Sequence, residues 1–133
     1  MRKREIIRNL RKHYNVNTKL FSEYDFEVVT DKKSYFVKVL NVTSDYQVTI
    51  NSKKIWDLKK GNVSGIRFKT VSSSLVNLED FNKLDNKVIV FISKPYKVLK
   101  ALNESDLLDI SEVKVVNNIF ITSNIEELIE HLK

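Results

Sequence analysis

Apolar side chains at Ile6, Ile7, Leu10 and Tyr14 recur at i, i+1, i+4 and i+8, which predicts an amphipathic helix at the start of the chain. From Tyr24 to Thr30 the pattern changes to alternation rich in Phe and Val. Asp31-Lys32-Lys33-Ser34 then supplies a polar turn, and Tyr35 to Val42 reads as a second strand. Tyr46 to Ile50 reads as a third, so residues 24–50 predict a three-strand meander. Next, Ser52 stands where an N-cap belongs, Ile55, Trp56 and Leu58 form an apolar face, and Gly61 sits at a C′ position, a pattern that predicts a helix. Val63 to Val71 reads as a strand, Ser72-Ser73-Ser74 as a loop, and Asp80 to Leu84 as a short helical turn. Within Lys87 to Ser93 the run Val88-Ile89-Val90-Phe91-Ile92 fits a buried central strand. Pro95 occupies a plausible first helical position ahead of Val98, Leu99 and Leu102. Val113 to Thr122 holds one or two strands broken near Asn117-Asn118. Ser123 with Glu126 three residues on forms a capping box that opens a last helix, whose core face is Ile125, Leu128, Ile129 and Leu132.

This order of elements predicts a mixed α/β fold, a mixed central β-sheet flanked by helices. A length of 133 residues fits one domain over 1–133: a basic N-terminal helix at 1–14, the meander at 24–50 and a C-terminal α/β part at 87–133. The absence of cysteine excludes a disulfide scaffold, a thiolate zinc site and a cysteine nucleophile. Two glycines and one proline leave no glycine-rich phosphate loop. No apolar run approaches the roughly 18 residues that span a bilayer, and the N-terminus lacks a signal-peptide core, so the expected location is cytoplasmic with no membrane partner. The lysine and asparagine bias suggests an AT-rich bacterial genome.

Charge narrows the picture further. The chain carries a formal net +6, and the first twelve residues alone carry +5, with Arg2, Lys3, Arg4, Arg8, Arg11 and Lys12 against Glu5. On the predicted helix Arg4, Arg8 and Arg11 line one face at i, i+4 and i+7. A guanidinium donates two hydrogen bonds at once to a phosphate, so this row is a candidate nucleic-acid contact. Lys53, Lys54 and Lys59, with Lys60 beside them, form a second basic cluster on the predicted middle helix. His13 and His131 lie far apart and no metal-binding spacing joins them. The carboxylates Glu104, Asp106, Asp109 and Glu112 read as a solvated face.

The stretch Asp25 to Leu40, DFEVVTDKKSYFVKVL, carries the most specific signal. A helix, a strand opened by an aspartate, a short polar hairpin and then Tyr-x-Val resembles the PD-(D/E)XK nuclease superfamily, most of all its Holliday-junction-resolvase-like members. The resemblance covers roughly residues 3 to 60 and implies a restriction-endonuclease-like core, with Lys87 to Ser93 as a later core strand. In that superfamily two carboxylates hold a magnesium ion that activates water, and a lysine orients the attack. Here Asp25 falls on the first acid, but Lys38 takes the place of the glutamate and Leu40 that of the lysine. In a shifted register Lys38 keeps the lysine role and Glu27, at i+2 from Asp25, supplies the second carboxylate.

Three functions are therefore expected. The first is a nucleic-acid-binding protein, with DNA ahead of RNA, whose nuclease-like site is lost or rearranged. It would serve in a DNA-processing or mobile-element system, with Arg4, Arg8, Arg11, Lys53, Lys54 and Lys59 on phosphates. The second is a magnesium-dependent endonuclease with Asp25 and Glu27 as metal ligands and Lys38 as the catalytic cation. The third is a non-enzymatic protein–protein module, meeting a second copy or a partner protein.

Overall fold

A computed structural model describes residues 1–19, 22–103 and 105–133 of the chain. The elements are α1 (Lys3–Arg11), β1 (Asn15–Thr18), β2 (Phe26–Val29), β3 (Ser34–Leu40), β4 (Tyr46–Ile50), β5 (Ile55–Ser64) and β6 (Arg67–Asn77), then a 3-10 turn at Phe81–Lys83. They continue with β7 (Lys87–Phe91), β8 (Lys97–Ala101), β9 (Leu107–Asp109), β10 (Val115–Val116), β11 (Ile119–Thr122) and α2 (Ile125–Leu132). The fold is mixed α/β, with two mixed sheets and two helices, and strands dominate. One sheet has the order β1-β2-β3-β7-β11-β10 and the other β6-β5-β4-β8-β9. In the first, β1, β2 and β3 run antiparallel, whereas β3, β7 and β11 run parallel. In the second, β6, β5 and β4 run antiparallel and β4 is parallel to β8.

Alternation along the central strands explains the layering. In β7 the side chains of Val88 and Val90 join a core with Ile6 and Leu10 of α1 and Leu128 and Leu132 of α2. Ile89 and Phe91 point the other way, into a second core with Val48, Ile50, Trp56, Leu58 and Val98 of the second sheet. The first sheet is thus covered by helices on one face and by the second sheet on the other. That is why β7 is apolar at every position from Val88 to Phe91. Each large side chain fully buried there contributes roughly 1.5–3 kcal/mol relative to exposure.

Several expectations need correction. The central sheet has helices on one face only. The middle helix at 52–61 is strand β5: Trp56 and Leu58 are buried at i, i+2, the period of a strand. Gly61 is no helix terminator, because it sits beside the bulge between Lys60 and Gly61, where a Cβ would lie 2.1 Å from the Lys69 carbonyl oxygen. The helix after Pro95 is strand β8, and Ser72–Ser74 belongs to β6 rather than to a loop. Val63 to Val71 is not one strand but the end of β5, a two-residue turn at Gly65-Ile66 and the start of β6; only Gly65 of the turn has positive φ, the type II′ pattern. The antiparallel meander is β1-β2-β3, since β4 leaves for the second sheet and β1 takes its place. α2 is capped one residue later than expected, by Asn124, whose side chain accepts from the Glu126 and Glu127 amides at 2.9 and 3.1 Å. The break at Asn117-Asn118 is as expected, a β10–β11 turn with both residues at positive φ. Among the described residues no helix is long and apolar enough to cross a membrane.

Candidate nucleic-acid interface

Packing fixes how α1 presents its cations. Ile6 and Leu10, one turn apart, are both fully buried, so the helix is pinned to the sheet along that line. Arg4, Arg8 and Arg11 are all exposed. Arg8 and Arg11 also sit in the last turn, where cations complement the helix dipole. The Arg11 guanidinium donates to the Val16 carbonyl at 3.2 Å, which fixes its stem against β1. Among the described residues no acid pairs with Arg4, Arg8 or Arg11. A shallow cleft beside Arg11 is lined by Tyr14, Asn15, Asn17 and Val29.

The second basic cluster lies elsewhere. Lys53 and Lys54 occupy the β4–β5 turn, where the Ser52 hydroxyl accepts from the Lys54 and Ile55 amides at 3.2 and 3.1 Å. The Lys54 ammonium is 3.5 Å from Glu79. Lys59 is in β5 on the outer face of the second sheet, in register with Gln47 and, beyond it, Lys97. That face is the layer opposite α1. The structure therefore does not bring Arg4, Arg8 and Arg11 together with Lys53, Lys54 and Lys59 on one surface.

Asp25 immediately precedes β2, and the register that pairs Phe26 with Val37 sets it opposite Lys38. Its carboxylate does local structural work. Oδ2 accepts from the Val39 amide at 2.6 Å, and Oδ1 lies 3.4 Å from the Lys3 ammonium. Glu27 stands opposite Phe36 and accepts from the Asn17 side chain at 3.3 Å. The Lys38 ammonium is 3.4 Å from the Glu23 carbonyl. The oxygens of these two acids are thus engaged by an amide, an ammonium and a carboxamide of the chain itself. Among the described residues no group of three His, Cys, Asp or Glu side chains could hold a metal ion.

Other titratable groups are tuned by their neighbours. The Thr43 hydroxyl holds the Asp45 carboxyl below its ordinary range, and the Ser111 hydroxyl does the same for Asp109. Burial, followed by the Lys33 charge, lowers the His131 pKa. Its ring stacks on Phe120 at a centroid distance of 3.9 Å and meets Tyr35 edge-on at 5.7 Å. Of the acidic run at 104–112, Asp106 lies just before β9, Asp109 ends it, Glu112 follows it, and Glu104 falls outside the described residues.

Two features escaped the sequence reading. Lys97 completes the row with Lys59, and Thr49 faces Asp57 across β4 and β5, with Thr49 Oγ1 and Asp57 Oδ1 buried and unpaired. Neither is visible before the β4–β5 and β4–β8 pairings are known. Compared with known proteins, the chain matches no family model, no curated protein and no solved structure, so no relative lends it a function.

Proposed function

We propose that the chain binds nucleic acid through the solvent face of α1, with Arg4, Arg8 and Arg11 on successive phosphates and with no catalysis through Asp25, Glu27 and Lys38. One observation carries this reading: three exposed arginines without acid partners, on a helix held rigid by Ile6 and Leu10. At 1.5 Å per residue the row from Arg4 to Arg11 is about 10 Å long, longer than the roughly 7 Å of rise between the first and third of three successive phosphates in a strand, so the row is long enough to reach them. DNA is the expected ligand ahead of RNA.

A nuclease-like ancestry has topological support. α1, the antiparallel β2–β3 hairpin with Asp25 just ahead of it, and β7 parallel to β3 follow the order the PD-(D/E)XK resemblance implies, with β1 an addition between α1 and β2. The likeness fails between β3 and β7, where β4 joins the other sheet and strand β5 stands in place of the helix expected to border a DNA groove. Cleavage through Asp25 and Glu27 lacks comparable support, because the Lys3 ammonium and the Val39 amide already engage the first acid.

The test is fluorescence anisotropy of a labelled duplex across salt. Three phosphate contacts predict a slope of roughly −2.7 in log affinity against log salt. Arg4, Arg8 and Arg11 changed together to Ala should abolish most of that slope and weaken binding at low salt. No binding at low salt, or an unchanged slope in the triple variant, would overturn the reading.

A further inference from the structure

The four sheet edges are not protected alike. β1, β9 and β10 are four, three and two residues long, and short edges are one way that sheets avoid pairing with other chains. β6 is eleven residues long, is paired on one side by β5 only, and is almost entirely exposed. From Thr70 to Leu78 it carries no charge, no proline and no glycine. Val71 is 69% exposed and Leu75 67%. The near half of β6 has protective devices, Arg67, Lys69 and the bulge that falls at Val71. The stretch from Ser72 to Leu78 has none of them.

The hydrogen-bond phase shows which groups are free. The Leu78 amide donates to the Lys54 carbonyl at 2.6 Å, and Val76, Ser74 and Ser72 pair with Trp56, Leu58 and Lys60. Even-numbered residues therefore turn their backbone groups to β5, and Ser73, Leu75 and Asn77 turn theirs to solvent.

We infer that this edge pairs antiparallel with β6 of a second copy, so that the two five-stranded sheets join across a two-fold axis. Charge selects a second copy as the occupant. The neutral stretch has cations at one end, Arg67 and Lys69, and acids at the other, Glu79 and Asp80. A two-fold antiparallel pairing sets each cationic end against the other copy's acidic end. Centred on Ser74, it places Ser73 opposite the partner's Leu75, a relation that occurs twice, and it brings the Lys69 end of each strand towards the Glu79 end of the other. The outward groups of Ser73 and Leu75 then exchange about four backbone hydrogen bonds across the seam. Lys54 pairs with Glu79 only at the surface, so that acid remains free to take the second contact.

The test combines light scattering from micromolar to about 1 mM protein with amide hydrogen exchange. A dimer is expected, with the Ser73, Leu75 and Asn77 amides slowing as it forms. Ser73→Pro removes an outward N–H without breaking a bond to β5 and should weaken association at least tenfold. Leu75→Lys sets two like charges near the axis and serves as a second probe should proline perturb the strand. Lys69→Glu should also weaken the dimer, and adding Glu79→Lys should restore it. A monomer over the whole range, a dimer indifferent to both Ser73→Pro and Leu75→Lys, or outward amides that stay unprotected would overturn the inference.

Discussion

Asp25→Ala separates two roles that a carboxylate can have at the head of β2. In the structure its Oδ2 takes the Val39 amide of β3 at 2.6 Å. β2 begins only at Phe26, so the carboxylate stands in for a strand carbonyl at that point of the ladder. A hydrogen bond to a charged group is worth about 1.5–3 kcal/mol, and an unpaired buried amide costs about as much. The Asp25 side chain is 27% exposed, so water reaches part of the vacated site, and the expected loss falls to about 1–2 kcal/mol. The exposed Lys3 pair adds no more than about 0.5 kcal/mol, which Lys3→Ala should show on its own. Asp25→Asn keeps an acceptor oxygen without the charge and should recover roughly half of the loss. Urea unfolding at constant m measures all three, and the Ala variant should melt roughly 3–6 °C lower. A residue retained for metal binding gives the opposite sign, because removing a carboxylate from a set of ligands relieves repulsion. An Ala variant as stable as the parent, or an Asn variant as damaged as Ala, would refute the structural role.

Gly61→Ala should cost at least about 3 kcal/mol in urea unfolding, since the added carbon meets the Lys69 carbonyl oxygen at 2.1 Å and neither side of the bulge can yield without moving backbone. A loss under about 1 kcal/mol would show that the bulge relaxes freely. His131 has a folded-state pKa below its ordinary value near 6.5, so the unfolded chain binds more protons in the window between the two. Its contribution is present above pH 6.5 and is lost as pH falls through the folded pKa, so the parent should lose more stability on acidification than His131→Gln. Parallel stability curves from neutral pH to about pH 5 would show that the imidazole does not titrate differently on folding.

The sequence pattern was most legible where one element decides its own burial. α1, β7 and α2 each show a face or a run that needs no knowledge of a partner, and so do the Asn117-Asn118 turn and the hairpin from β2 to β3. Ile55-Trp56-x-Leu58 was ambiguous because three apolar residues in four fit a helix face and a strand equally well. The ambiguity is resolved by the β4–β5 pairing, which is tertiary. Ser72-Ser73-Ser74 has turn chemistry, yet an exposed edge strand has little apolar face to declare itself. β1 was invisible because only Val16 of its four residues is buried. At the candidate site, Asp25 stands just ahead of β2 rather than on it and Lys38 lies on the neighbouring β3, but their partners could not be read. Lys3 is far from Asp25 in sequence, and it comes within 3.4 Å only when α1 docks.

The two interfaces proposed for this chain occupy different layers, and that has a consequence for testing them. α1 lies on the face of the first sheet opposite the second sheet, whose outermost strand is β6. Pairing at β6 covers none of Arg4, Arg8 and Arg11, so a dimer would carry two basic helices, each still open to solvent. Within the helical layer α2 is acidic, with Glu126, Glu127 and Glu130, which restricts a phosphate backbone to the α1 side. A short duplex that reaches one helix should therefore bind a Ser73→Pro monomer as it binds the parent, while the arginine variant should dimerise as the parent does. A change in both properties from either substitution would place the two surfaces in one site, contrary to the layering.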